Sequence, residues 1–239
     1  LMDFHIGGAG LISGGRLRRL LERDLAGIRI EALDHRFAAI CTELGTGHEI
    51  WLTHGPLVDA LGASYALPGV FDPVKLGGRW LMDGALVNPV PVTAARALGA
   101  DVVICVNLNS ELAGRGTTIQ NHGAEPDLIP ELDIRPSSRW LGGITGAARR
   151  VRGLVGRQGQ ERPGLAGVMI DAFNITQDRI SRSRLAGDPP DVMIGPKLAR
   201  VGLFDFHRAE EAVELGRAAA RRSLDDIAGA IAGSTVAAS

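Results

Sequence analysis

The sequence predicts an α/β protein with a mainly parallel central sheet, and one strand carries most of that prediction. Residues Asp101–Leu108 read Asp-Val-Val-Ile-Cys-Val-Asn-Leu, which is the strongest strand signal in the 239-residue chain. The apolar residues of this run are continuous and do not alternate with polar ones. That pattern is typical of a strand buried on both faces of a parallel sheet. Helical patterns lie before and after it along the chain.

The other elements follow from residue spacing and from the glycines that interrupt it. The first predicted helix places its leucines on one face and its charged residues on the other; the leucines are Leu17, Leu20, Leu21 and Leu25. Gly45 and Gly47 imply a turn between two short strands, Phe37–Cys41 and Glu49–Thr53, which together predict a hairpin. Further helices are predicted over 55–65, 94–98, 165–180 and 206–232, and further strands over 79–83 and 191–195.

Composition indicates an ordinary globular protein and gives no sign of a nucleic-acid partner. The chain is 45% hydrophobic and 22% charged, with a formal net charge of -1 and neither a basic surplus nor an acidic tail. Cys41 and Cys105 each lie in an apolar run, which favours buried, reduced thiols and therefore a cytoplasmic location. The longest apolar runs, such as Val102–Val106, are far too short to span a bilayer.

We expect a single domain over residues 1–239, with a flexible insertion or lid at 109–164, where Gly, Pro, Arg and scattered acids replace any strand pattern. Within it, residues 135–157 contain six arginines and no acid beside a helical stripe of apolar residues. Such a segment could rest on anionic lipid as a peripheral membrane contact. Its scattered glycines weaken a helix, so a disordered or partner-covered basic loop is the alternative.

The most informative segment is Leu81–Pro91, in which Asp83-Gly84 ends an apolar strand and Asn88-Pro89 follows. An Asp-Gly pair on its own is most often a turn. Here several other segments accompany it in a defined order, namely Ala39–Gly47, Ala63–Phe71, Pro189–Pro196 and Phe204–Ala212. Together they resemble the patatin-like phospholipases in their bacterial cytoplasmic form. The resemblance implies a three-layer α/β/α fold around the central sheet.

The resemblance also implies a lipid acyl hydrolase that cleaves carboxylic esters with a Ser-Asp dyad and without a cofactor. Asp83 is then the general base, and Gly84, Ala85 and Asn88 complete its motif. An aspartate of ordinary pKa, about 3.9, is a weaker base than a histidine at about 6.5, so burial that raises the Asp83 pKa would improve it. The histidines are scattered along the chain and predict no metal site. The substrate implied is a lipid or another acyl ester.

The serine half of the dyad is not visible, because no G-x-S-x-G nucleophile motif occurs in the chain. Ser64 lies in a related pattern with alanine in the last position, but that pattern is helical, and Ser13 is spaced wrongly from Gly10. Since the chain also begins with Leu1, we expect it to be incomplete at its N-terminus and inactive as given. The alternative is a catalytically silent α/β protein that keeps the fold for binding or regulation.

Overall fold

A computed structural model describes residues 14–108, 165–198, 200–202 and 205–237. The chain divides into two compact units. The first comprises the residues up to Val103 together with Met169–Pro190, and the second comprises Ile104–Val168 and Asp191–Ser239. The predicted insertion at 109–164, and with it the basic segment 135–157, lies outside the described residues. The single domain over 1–239 therefore stays a prediction.

The first unit contains the predicted first helix, the predicted hairpin and the strand that ends at Asp83. Its helices are α1 (Gly15–Leu25), α2 (Leu57–Ser64), α3 (Val92–Ala97) and α4 (Leu165–Gly187), of which the residues from Met169 onward belong to this unit. Its strands are β1 (Ala39–Glu43), β2 (Glu49–Leu52), β3 (Val74–Leu76) and β4 (Arg79–Asp83).

The four strands form one sheet in the order β2-β1-β4-β3, and every neighbouring pair is antiparallel. The prediction of a mainly parallel sheet is therefore wrong for this sheet. The reason lies in the connections: residues 44–48 join β1 to β2, and Gly77-Gly78 joins β3 to β4. Links this short can only reverse the chain. Gly77 and Gly78 have φ values of 56° and 81°, as a tight hairpin turn of two left-handed residues requires.

Helix α2 covers one face of this sheet with small side chains. Ala60 packs with Ala39 of β1, and Ala63 packs with Cys41 of β1 and Leu81 of β4, all of them buried. Because successive residues of a strand point to opposite faces, Ile50 and Leu52 of β2 join this core. The alternate residues of β2, Glu49 and Trp51, lie on the other face of the sheet.

The second unit contains a parallel strand pair, β5 (Ile104–Val106) and β6 (Val192–Ile194). The predicted burial of Asp101–Leu108 on both faces is wrong. Cys105 is buried, whereas Ile104 and Val106 are 43% and 57% exposed. In the described residues, only one face of the β5–β6 pair is thus covered. A continuous apolar run in the sequence does not show which of its side chains are buried.

The C-terminal region, predicted as one helix over 206–232, consists of two. Helix α5 (Ala209–Arg222) is followed by its C-cap residue Ser223, and α6 (Leu224–Ala237) comes next and contacts β6. Glu210 and Glu211 lie in the first turn of α5 and Arg221 and Arg222 in its last turn, where each charge interacts favourably with the helix dipole. Among the helices of the described residues, none is long and apolar enough to cross a membrane.

Candidate active site

Asp83 is the last residue of β4, and three backbone contacts hold it in place. It lies opposite Cys41 of β1 in the antiparallel register. Its N–H donates to the carbonyl of Ala66 (3.0 Å), and its own carbonyl accepts from the Thr42 hydroxyl (2.9 Å). Thr42 is itself buried. The end of the strand is therefore fixed on both sides before the chain turns away.

The carboxyl group of Asp83 caps a short 3₁₀ turn, Gly84–Leu86. Its Oδ1 accepts a hydrogen bond from the N–H of Ala85 at 2.8 Å. No donor to Oδ2 is present among the described residues. Burial raises the pKa of Asp83, and the hydrogen bond from Ala85 opposes that rise. Oδ1 is thus anchored, while Oδ2 has no donor among the described residues.

Gly84 is required by a close approach of two backbone segments. A Cβ atom at this position would lie 2.3 Å from the carbonyl oxygen of Ile40 and 2.6 Å from its carbonyl carbon. Both atoms belong to the backbone of β1, which is itself hydrogen-bonded within the sheet. Only glycine lets the turn after Asp83 pass this close to the strand.

These residues line a cleft of about 260 Å³ that also contains Asn88 and Ser64. Its wall is completed by Phe37, Ala38, Ala39, Ile40, Leu61, Ala85, Pro89 and Pro91. The structure thus brings together all four residues that the motif singled out, since Asp83, Gly84, Ala85 and Asn88 share one cleft. The sequence separation of Ser64 from this motif gave no sign that it would join them.

The Ser64 hydroxyl is occupied by a structural contact. Its Oγ donates to the carbonyl of Ile40 at 2.8 Å, which ties the last residue of α2 to β1. The described residues supply no base to the Ser64 oxygen. This geometry agrees with the helical interpretation of Ser64. Ser13 lies outside the described residues.

Asn88 is the most buried polar residue of the cleft, at 3% exposure. Its Nδ2 donates to Oε1 of Glu49 at 2.7 Å. The Glu49 carboxylate also accepts from Trp51 Nε1 (2.7 Å) and from Arg184 Nη2 of α4 (3.0 Å). Sequence reasoning missed both Glu49 and Arg184. The one available signal concerned Glu49, an acidic residue on the face of β2 opposite the core residues Ile50 and Leu52.

Among the described residues, the other reactive groups near the cleft give no sign of a second chemistry. Cys41 is fully buried, and burial raises its pKa to about 12, so it remains a neutral thiol. The nearby Asp83 carboxylate adds to that rise. Within the described parts of the chain, no cluster of three or more His, Cys, Asp or Glu side chains has the geometry to hold a metal ion.

Comparison with known proteins places this chain in a family. A model of the patatin-like phospholipases matches residues 2–96, which include Asp83. An uncharacterized NTE family protein of Mycobacterium tuberculosis is 30% identical over 273 aligned residues, which cover 94% of this chain and 72% of that protein. A second uncharacterized NTE family protein of the same organism is 30% identical over 226 residues, 94% of this chain and 35% of its own length. The chain belongs to the patatin-like phospholipase family.

Proposed function

We propose that this protein is a lipid acyl hydrolase in which Asp83 is the general base of a Ser-Asp dyad. The observation that carries the proposal is the Asp83 carboxyl itself, which lies half-buried in a cleft and has a raised pKa. Its Oδ1 is anchored by the Ala85 N–H, and its Oδ2 has no donor among the described residues. A raised pKa makes an aspartate a stronger base at neutral pH. Family membership supports an ester-hydrolysing role for this group.

The reaction that we infer passes through an acyl-enzyme. Asp83 takes the proton of a serine hydroxyl as the serine oxygen attacks the ester carbonyl. The tetrahedral intermediate then expels the alcohol, which receives that proton back from Asp83. Asp83 then deprotonates a water molecule, whose oxygen attacks the acyl carbonyl; the serine oxygen leaves and takes the proton from Asp83, which releases the carboxylic acid and regenerates the free serine and the Asp83 carboxylate. Backbone N–H groups of a glycine-rich loop would stabilise the oxyanion, as the family resemblance implies.

We place the nucleophilic serine outside the described residues, because Ser64 already donates to the Ile40 carbonyl at the end of a helix. The three-layer α/β/α arrangement and the cytoplasmic location belong to the same proposal. So does a peripheral lipid contact through the basic segment 135–157, whose six arginines would face anionic headgroups.

The test combines hydrolysis with covalent trapping. Short-chain p-nitrophenyl esters and phosphatidylcholine vesicles are offered to the 239-residue chain and to a polypeptide that includes any sequence its gene encodes before Leu1. A fluorophosphonate probe then marks the reactive serine, and mass spectrometry locates it. We expect ester hydrolysis in at least one of the two polypeptides, together with labelling of a serine other than Ser64. Labelling of Ser64 would contradict the placement of the nucleophile, and absence of both signals from both polypeptides would favour the catalytically silent alternative.

A further inference from the structure

A line of three polar side chains connects helix α4 with the turn that follows Asp83. Arg184 Nη2 donates to Glu49 Oε2 at 3.0 Å, and Asn88 Nδ2 donates to Glu49 Oε1 at 2.7 Å. The Glu49 side chain is 19% exposed and the Arg184 side chain 39%. The line therefore runs from a partly open ion pair to a buried amide beside the cleft.

The contact with Glu49 determines the orientation of the Asn88 amide. A carboxylate only accepts hydrogen bonds, so the NH₂ group of Asn88 must face Glu49. The amide oxygen of Asn88 is then buried, and the described residues provide no donor to it. Because a buried acceptor without a partner costs free energy, the Glu49 contact must outweigh that cost for the orientation to persist.

Asn88 in turn holds the peptide group that binds the carboxyl of Asp83. The backbone N–H groups of Asn88 and Val87 both donate to the carbonyl of Gly84, at 2.8 and 3.0 Å. That carbonyl belongs to the same planar peptide unit as the N–H of Ala85, which donates to Asp83 Oδ1. The oxygen of this peptide is thus held by Asn88, together with Val87, and its N–H is presented to Asp83.

We propose that Glu49 and Arg184 are positioning residues for Asp83, acting through Asn88 and the peptide between Gly84 and Ala85. The inference rests on the proposed role of Asp83 as general base, although the contacts themselves do not depend on it. Neither Glu49 nor Arg184 touches the reacting atoms. Their effect is to keep the Ala85 N–H aimed at one oxygen of Asp83, which leaves the other oxygen for proton transfer.

When Glu49 is replaced by a neutral residue, loss of positioning and loss of charge predict opposite changes in the pKa of Asp83. Removing the negative charge of Glu49 by itself would ease ionisation of Asp83 and lower its pKa. Loosening the Ala85 N–H would remove a hydrogen bond that favours the ionised form and would raise the pKa. Cys41, whose own pKa is raised by the Asp83 charge, stays neutral below pH about 12 and adds no charge of its own.

The decisive variant is Glu49→Met, with the Asp83 titration followed by the ¹³C shift of its carboxyl carbon in the 239-residue chain. We expect the Asp83 pKa to rise by about one unit, which corresponds to a tenfold change in the ionisation equilibrium. Glu49→Gln keeps an acceptor for Asn88 and should restore most of the original value. An unchanged or lowered pKa in a folded Glu49→Met variant would overturn the proposal.

Two further variants keep the test decisive if Glu49→Met fails to fold. Asn88→Ala changes no charge and should also raise the Asp83 pKa. Trp51→Phe removes only the other donor to Glu49 Oε1 and should leave the Asp83 pKa unchanged. Equal shifts in these two variants would refute the route through Asn88. The titration does not depend on catalysis, so it separates this inference from the proposed function. If the Asp83 pKa rises in Glu49→Met but Asp83→Asn keeps full activity, the role of Asp83 as general base is refuted, whereas the positioning of its carboxyl by Glu49 is supported.

Discussion

Replacement of Gly84 by alanine tests the geometry of the site most simply, because the change adds one methyl group. An ideal Cβ at this position lies 2.3 Å from the Ile40 oxygen, 2.6 Å from the Ile40 carbonyl carbon and 2.9 Å from its Cγ2. Ordinary contacts to a Cβ begin near 3.4 Å, so the gap must widen by about 1 Å. Two of the three obstructing atoms are backbone atoms of β1, which a rotamer change cannot move.

We expect Gly84→Ala to lower the free energy of unfolding by about 2 to 3 kcal/mol, in the range that overpacking of a rigid site typically costs. Urea unfolding followed by tryptophan fluorescence measures this directly, since Trp51 and Trp80 lie in the same sheet. The displaced turn should also release the Ala85 N–H from Asp83 and reduce ester hydrolysis.

Gly62→Ala is the matched control, since Gly62 lies inside α2 in the same unit. Its added Cβ meets the nearest atoms, Arg18 Nη1 and Tyr65 Oη, at 3.9 and 4.0 Å, which are ordinary contacts. Because alanine is favoured over glycine within a helix, we expect a gain of about 0.5 to 1 kcal/mol. If Gly84→Ala were as stable as the unmodified chain, the close packing of the turn on β1 would be refuted.

Three further predictions concern neighbouring groups. Ser64→Ala should cost about 1 kcal/mol through the lost hydrogen bond to Ile40 and lower kcat/KM by less than about tenfold; a loss of about 10³-fold or more would identify Ser64 as the nucleophile instead. Cys41 should react with a thiol reagent only after unfolding, and the chain should lose stability relative to Cys41→Ala as pH rises from about 9 towards 12. Over that range the unfolded thiol ionises and the folded one does not; a constant difference between the two proteins would show that Cys41 is not buried in solution. Replacing the six arginines of 135–157 by glutamine should reduce co-sedimentation with anionic vesicles, and unchanged binding would exclude the lipid contact.

The local features of the site were predictable from the sequence, because each depends on neighbouring residues. An Asp-Gly pair at the end of an apolar strand predicted a turn with a carboxyl at its start, and Asp83 caps that turn. The first hairpin followed from glycines between two short strands. The family resemblance drawn from the ordered motifs was confirmed by comparison.

The long-range features were not predictable, because spacing contains no information on them. The pairing of β1 with β4 joins segments about forty residues apart, with α2 between them, and it makes the larger sheet antiparallel. The contact of Arg184 with Glu49 spans 135 positions. The exposure of Ile104 and Val106 depends on what covers each face of β5, which an apolar run does not specify.

Ionisation of the Asp83 carboxyl, which the proposed catalysis requires, should lower the free energy of unfolding. Burial raises the pKa of Asp83, so at neutral pH the ionised group destabilises the folded chain relative to the unfolded one. Asp83→Asn removes that charge and keeps an oxygen for the Ala85 N–H. We therefore expect the variant to be at least as stable as the unmodified chain at pH 7. This advantage should shrink as pH falls through the raised folded-state pKa of Asp83, and it should be absent below the unfolded-state pKa of about 3.9, where the carboxyl is neutral in both states.

The most direct test of Asp83 as the general base is kcat/KM for ester hydrolysis by Asp83→Asn, measured at pH 7 on protein whose urea midpoint equals or exceeds that of the unmodified form. The exposed substitution Asp34→Asn serves as the matched control. A role in proton transfer predicts that Asp83→Asn loses at least about 10³-fold in kcat/KM while remaining folded, and that Asp34→Asn is unaffected. Turnover by folded Asp83→Asn within tenfold of the unmodified protein would contradict the assignment.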